Sequence, residues 1–240
     1  MLLLGKTRNL FLIILGFAVA LGFAVALMAD DRPNHTLSAT HTDRFSVAAS
    51  VSIRLENSFG EINVEGWDSP EVEVTVTKSV EQRTGEKANA AQQRLDSVQV
   101  GVKHSEGEAI VSTVYPPQGG LSHLFGRRGD VMITYRIHAP RASKLIVEHN
   151  RGGLNITGIS ADIRGTVDRG QITLTLPDGR YALDAKCRVG KVYSDFEGHD
   201  QRQHLIGEEF DHQAGEPNLY LRAAFGDIMI LKTNHSLRTD

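Results

Sequence analysis

Three histidines and a glutamate near the C-terminus are the first residues whose types and spacing suggest chemistry. His204, Glu208 and His212 recur every four residues, so a helix would bring all three to one face where they could hold a metal ion, with His199 and Asp200 close by. Gly207 and Gly215 break such a helix, and the His-Glu-x-x-His spacing is lacking. A solvated polar loop accounts for the same residues. Arg128-Gly129-Asp130 is a tripeptide that some secreted proteins present to integrins, yet a turn leading into the next strand explains Gly129 and Asp130 equally well. Cys187, the single cysteine, can form no internal disulfide. It stands three residues before Gly190, where neighbouring segments have Val167 and Ala223, which marks a small core residue rather than a nucleophile. Glu61, Asp162, Asp168, Asp195 and Asp227 could line one face, as a polysaccharide-acting enzyme would need, but they fall mainly at bends, where Asp serves turn geometry. Trp67, between Gly66 and Asp68, reads as a turn residue packed over the end of a sheet rather than a sugar platform. Asn34, Asn155 and Asn234 open Asn-x-Ser/Thr triplets, which matter only in a cell that glycosylates them. No nucleophile elbow, phosphate loop or dinucleotide fingerprint is present. The residues therefore assign no catalytic, cofactor-binding or metal-binding position, and imply no cofactor.

The elements that would position these groups begin with an apolar run. Residues 10–29 carry no charge, Lys6 and Arg8 precede them, and Asp30 and Asp31 follow. That asymmetry keeps the amino end inside and exports the rest. About 20 apolar residues suffice to span a bilayer, longer than the core of most cleaved signals, which favours a retained anchor. Ala24-Val25-Ala26 and Ala29 leave cleavage as the alternative. The chain thus divides into residues 1–29, a signal peptide or transmembrane anchor; residues 30–44, a polar tether; and residues 45–240, a β-repeat domain. Its 240 residues carry a net charge of −3, which excludes an ordinary nucleic-acid binder.

Self-similarity organises the β-repeat domain. A short alternating segment, a few polar residues and a glycine are followed by apolar residues two and four places on: Gly60 with Ile62 and Val64, Gly152 with Leu154 and Ile156, Gly170 with Ile172 and Leu174, Gly226 with Ile228 and Ile230. Gly190 has Val192 but then the polar Ser194. Alternation at period two means strands, and glycine supplies the positive φ of a sharp bend. Each unit is strand, bend, strand; stacked units would share one core. The expected fold is all-β: a β-solenoid or stacked β-sheet repeat with one short helix, plus the N-terminal hydrophobic helix. A β-sandwich with regular hairpins is the competing architecture. Residues 71–78, with Val at every second position, are the clearest strand; residues 81–96, rich in Ala, Gln, Glu and Arg, are the expected helix. Strands follow at residues 98–103, 109–115 and 131–138, with exposed loops at residues 116–130 and 198–217.

The Asn57-Ser58-Phe59-Gly60-Glu61-Ile62-Asn63-Val64 segment, and Ala139-Pro140 leading through Leu145-Ile146-Val147 into the closely spaced units, resemble a family of bacterial cell-envelope proteins, the "putative adhesin" domain of unknown function, over residues 45–232. That resemblance implies a stacked-β fold outside the cytoplasm and no catalytic residues to carry over. The sequence as a whole points to a non-enzymatic envelope module, exported or membrane-anchored, that binds or scaffolds a protein or glycan ligand of the envelope and touches the membrane through its N-terminal segment. The alternatives are an envelope-stress sensory or regulatory module binding a membrane partner, and a polysaccharide-acting β-helix enzyme.

Overall fold

The computed structural model describes residues 36–48, 50–83, 85–105, 107–115, 131–196, 200–203, 207–213 and 215–233. The apolar run and the loop at residues 116–130 lie outside the described residues. In chain order the elements are β1 (Thr36–Ser46), β2 (Ser52–Trp67), β3 (Glu71–Glu81), α1 (Ala88–Ser97), β4 (Gln99–His104), β5 (Glu108–Val114), β6 (Val131–Pro140), β7 (Lys144–Arg151), β8 (Leu154–Thr157), β9 (Ile163–Arg169), β10 (Ile172–Leu176), β11 (Ala182–Val189), β12 (Val192–Ser194), β13 (Asp200–Gln203), β14 (Glu208–Gln213), β15 (Asn218–Phe225) and β16 (Ile228–Lys232). The protein is mostly β, with one helix among the described residues.

Five strand pairs turn at glycine: β2 within itself at Gly60, β7 into β8 at Gly152, β9 into β10 at Gly170, β11 into β12 at Gly190, and β15 into β16 at Gly226. The reason is visible at Gly152 and Gly170, whose φ values are 127° and 144°, a region side chains rarely adopt. A Cβ on Gly152 would also strike the carbonyl of Gly60, and one on Gly170 the carbonyl of Gly152. The bends therefore lie directly on one another. Hydrogen bonds continue round the corner, with Gly152 N–H on Arg169 O and Gly170 N–H on Phe225 O, both at 2.9 Å.

This folding-over gives two walls within one nearly closed, barrel-like sheet. The A wall runs β1-β3-β6, the second half of β2, then β8-β10-β16-β12. The B wall runs β4-β5, the first half of β2, then β7-β9-β15-β11-β14-β13. The central strands of both walls are parallel; antiparallel strands flank them on one side of the A wall and on both sides of the B wall. Inward residues form registered rows: Tyr135, Ile62, Leu154, Ile172, Ile228 and Val192 across the A wall, and Ala109, Ile53, Leu145, Ile163, Leu219 and Leu183 across the B wall. All are buried. Burying each large aliphatic side chain contributes about 1.5–3 kcal/mol, so these rows supply the main cohesion. The walls interlock where Gly165, inward on β9, leaves room for the Leu154 and Leu221 side chains.

Three sequence expectations are corrected. Units do not stack in chain order: the Gly226 unit sits between those of Gly170 and Gly190, because β15 pairs with both β9 and β11 and β16 with both β10 and β12. This departs from the coil-after-coil order of a solenoid. The order is set by pairing between distant segments, and the short β12, which carries the polar Ser194, ends the A wall beside β16. Residues 36–44, read as tether, belong to β1, which pairs with β3 along its whole length. Residues 198–217, read as an exposed loop, contain β13 and β14, a hairpin that covers the free edge of β11. The helix spans Ala88–Ser97 within and just past its expected range, and buries Ala91 and Leu95.

Burial also sets an alkaline limit. Desolvation pushes the Tyr135 phenol up to about 12 and raises the Tyr115 and Tyr181 phenols and the Cys187 thiol above their ordinary values. Each is neutral when folded and ionises more readily when unfolded, so stability is level below the ordinary thiol and phenol range and falls as pH rises through it. Urea midpoints should be equal at about pH 7 and 8 and drop by about pH 10.5, and Tyr135→Phe should reduce that drop.

Candidate functional site

The structure disperses most of the residues that suggested chemistry. Glu208 lies on β14, a strand and not a helix, and its buried carboxylate accepts the Val192 N–H at 2.9 Å. His212 shares that strand, whereas His204 and His199 lie outside the described residues, as does Arg128-Gly129-Asp130. Among the described residues no three His, Cys, Asp or Glu side chains come together as a metal cluster. Cys187 is buried and registers with Ala223, which registers with Val167, so the three occupy one inward row.

The five carboxylates divide between the two ends of the strands. Glu61, Asp168 and Asp227 stand by the glycine bends, whereas Asp162 and Asp195 stand at the opposite, return end. Four hold backbone N–H groups of neighbouring units. Glu61 takes Gly153 at 3.3 Å, Asp162 takes Asn218 at 3.0 Å, Asp195 takes Lys232 at 3.0 Å, and Asp227 takes Lys191 at 2.9 Å. They tie turns together and line no common groove. Trp67 donates its indole N–H to Glu71 O at 2.8 Å and stacks on His138, with 5.2 Å between ring centroids, closing the return end of the A wall.

What the strands do assemble is the outer face of the A wall. The third residue after each glycine points outward, and the registers join these residues to their neighbours in one row: Thr42, Thr75, Arg136, Asn63, Asn155, Thr173, Met229 and Tyr193. Eight strands at about 4.8 Å spacing make this row roughly 34 Å long. Its polar groups are mutually ordered. Asn155 donates to Asn63 at 3.0 Å, Gln171 donates to Thr173 at 3.0 Å, and Thr42 with Thr75 and Thr40 with Thr77 form hydroxyl pairs at 2.9 Å. Amides and hydroxyls fixed in this way present donors and acceptors at regular intervals without the entropy loss of ordering long side chains. The third residue after the glycine is polar in three of the five units, Asn63, Asn155 and Thr173, and this position, between the apolar second and fourth, is the trace of the face in the sequence.

A concavity of about 350 Å³ opens between β1 and β4, lined by Ala39, His41, Val76, Val98, Val100 and Lys78. Lys78 crosses it to donate to the carbonyls of Leu95 at 3.2 Å and Val98 at 3.0 Å, so its charge serves the end of α1.

No protein-family model matches the chain, and no curated protein does. Among solved structures it is similar to a "putative cell adhesion protein" from Clostridium sporogenes, at 10% identity and a TM-score of 0.46, over 82% of this chain and 100% of that one. It is also similar to a "putative adhesin" from Parabacteroides distasonis, at 11% identity and a TM-score of 0.23, over 81% and 97% of the two chains. A further "putative adhesin", from Bacteroides fragilis, overlays the same shares at 8% identity and a TM-score of 0.23.

Proposed function

We propose that this chain is an exported cell-envelope protein, anchored by residues 10–29, that works as a non-enzymatic binding or scaffolding module through the outer face of its A wall. The observation that carries this reading is the registered polar row from Thr42 through Thr75, Arg136, Asn63 and Asn155 to Thr173, in which Thr42 bonds Thr75, Asn155 bonds Asn63, and Thr173 accepts from Gln171. A long row of that kind suits an extended polymer whose own polar groups repeat at comparable intervals, such as an envelope glycan, better than a single small molecule. The five bent units repeat their outward residue at strand spacing along the face, and the uninterrupted apolar run with cationic residues before it supports the location.

The test is sedimentation of the full chain, kept in mild detergent, with purified envelope polysaccharide. Asn155→Arg and Thr173→Arg each replace a short hydrogen-bonded group of the row with a long side chain and should weaken binding about tenfold or more, equivalent to about 1.4 kcal/mol. Glu148→Arg, on the outer face of the B wall, should leave binding unchanged. Equal retention of all three variants would remove the A face from the binding role.

A further inference from the structure

The registers fix where the chain enters the domain relative to the glycine bends. Ala39 pairs with Lys78, Lys78 with Ile133, and Ile133 with Gly60, so Ala39 lies level with the row of bends. Thr36 projects three residues farther, about 10 Å beyond that level, and β1 then runs away from the bends toward Ser46. Only residues 30–35 separate Thr36 from the apolar run, a reach of at most about 20 Å. The return end, with Trp67 and Ser46, is about 33 Å from Thr36 along the strands.

The same end gathers exposed apolar side chains. Phe225 (48% exposed) immediately precedes the Gly226 bend, Met132 (53%) precedes Ile133, and Val114 (59%) ends β5 beside the Gly60 bend. Of the four large apolar side chains that are exposed among the described residues, these are three. The residues just before the bends register as Phe59, Arg151, Arg169, Phe225 and Val189, and the Arg169 guanidinium lies 5.8 Å from the centre of the Phe225 ring. Arg188 and Lys191 flank the Gly190 bend. The carboxylates at this end, Glu61, Asp168 and Asp227, balance most of these cations, and Glu61 and Asp227 also bind backbone N–H groups. Aromatic and aliphatic tips beside long cationic side chains suit the boundary between lipid headgroups and acyl chains, where the stems pack and the charged ends stay wet.

We infer that the glycine-bend end is the membrane-facing end of the domain, with Phe225, Met132 and Val114 touching the lipid surface and the return end pointing away. This rests on the anchored reading above. The polar A face would then stand upright from the membrane, with its row running parallel to the lipid surface about 10 Å beyond the bends.

The single tryptophan, Trp67, is a natural probe of the far end. The full chain is reconstituted into phosphatidylcholine vesicles that contain some phosphatidylglycerol and carry brominated acyl chains. Native Trp67 fluorescence should be nearly unchanged, whereas chains carrying Trp67→Phe with Phe225→Trp, or Trp67→Phe with Met132→Trp, should lose about half their intensity, because an interfacial contact buries side chains only about 5–10 Å deep. A chain that floats with the vesicles but whose new tryptophans are quenched no more than Trp67 overturns this inference alone. A chain that does not float overturns the anchored reading and this inference with it.

Discussion

Gly170→Ala should lower the stability of the folded protein by about 3–5 kcal/mol, among the largest losses expected of a single small substitution. Two costs combine. Gly170 has φ 144°, which alanine adopts only with strain, and the added methyl would meet the carbonyl of Gly152. That carbonyl belongs to a neighbouring bend that is itself pressed on the Gly60 carbonyl, so it cannot withdraw without disturbing the whole stack. Gly107→Ala is the control: it has open space for a Cβ and no left-handed backbone, and should change stability by less than about 0.5 kcal/mol. Urea unfolding should show a lower midpoint for Gly170→Ala with an unchanged slope. If the two variants unfold together, the bends do not bear on one another.

Leu174→Ala should cost about 2–5 kcal/mol. Leu174 is fully buried and lies in a registered row with Val64, Ile156 and Ile230. Its neighbours on both sides are held by backbone ladders, so they cannot slide in to refill the space, and the upper part of the range applies. The adjacent Thr173→Ala, on the outer face, should change stability by less than about 0.5 kcal/mol while removing the hydroxyl that Gln171 binds. Measured by the same unfolding experiment, a larger loss at 173 than at 174 would mean that the inner and outer faces have been assigned the wrong way round.

Much of this architecture could be read before any coordinates. Val72, Val74 and Val76 alternate strictly, and β3 buries all three. The match of Cys187 with Ala223 and Val167 follows from counting back three residues from each glycine, and the ladders place them side by side. Other features resisted for physical reasons. β1 looked like a tether because its inward positions, Leu37, Ala39, His41, Asp43 and Phe45, mix aliphatic with ionisable residues; its place in the sheet comes from pairing with β3 and not from its own pattern. The exchange of the last two units was hidden because each carries the same local signal, and the choice of neighbour is made by contacts between distant segments. The candidate face was only half visible. Asn63, Asn155 and Thr173 share a position after their glycines, but the hydrogen bond between Asn63 and Asn155 joins residues from separate units, and only stacking brings them within 3.0 Å.

The interleaved position of the Gly226 unit governs how the molecule can be completed. The Gly190 unit precedes the Gly226 unit in the chain, yet it joins the other units only through residues 218–232, which fill the slot beside β9 and β10. Until they do, both the β9/β10 arm and the β11/β12 arm expose unsatisfied strand edges, so a nascent or truncated product is the vulnerable species, open to proteolysis and to pairing with its own kind. Assembly is therefore closed by residues 218–232, which must be in place before the facing edges of β9, β10, β11 and β12 are covered.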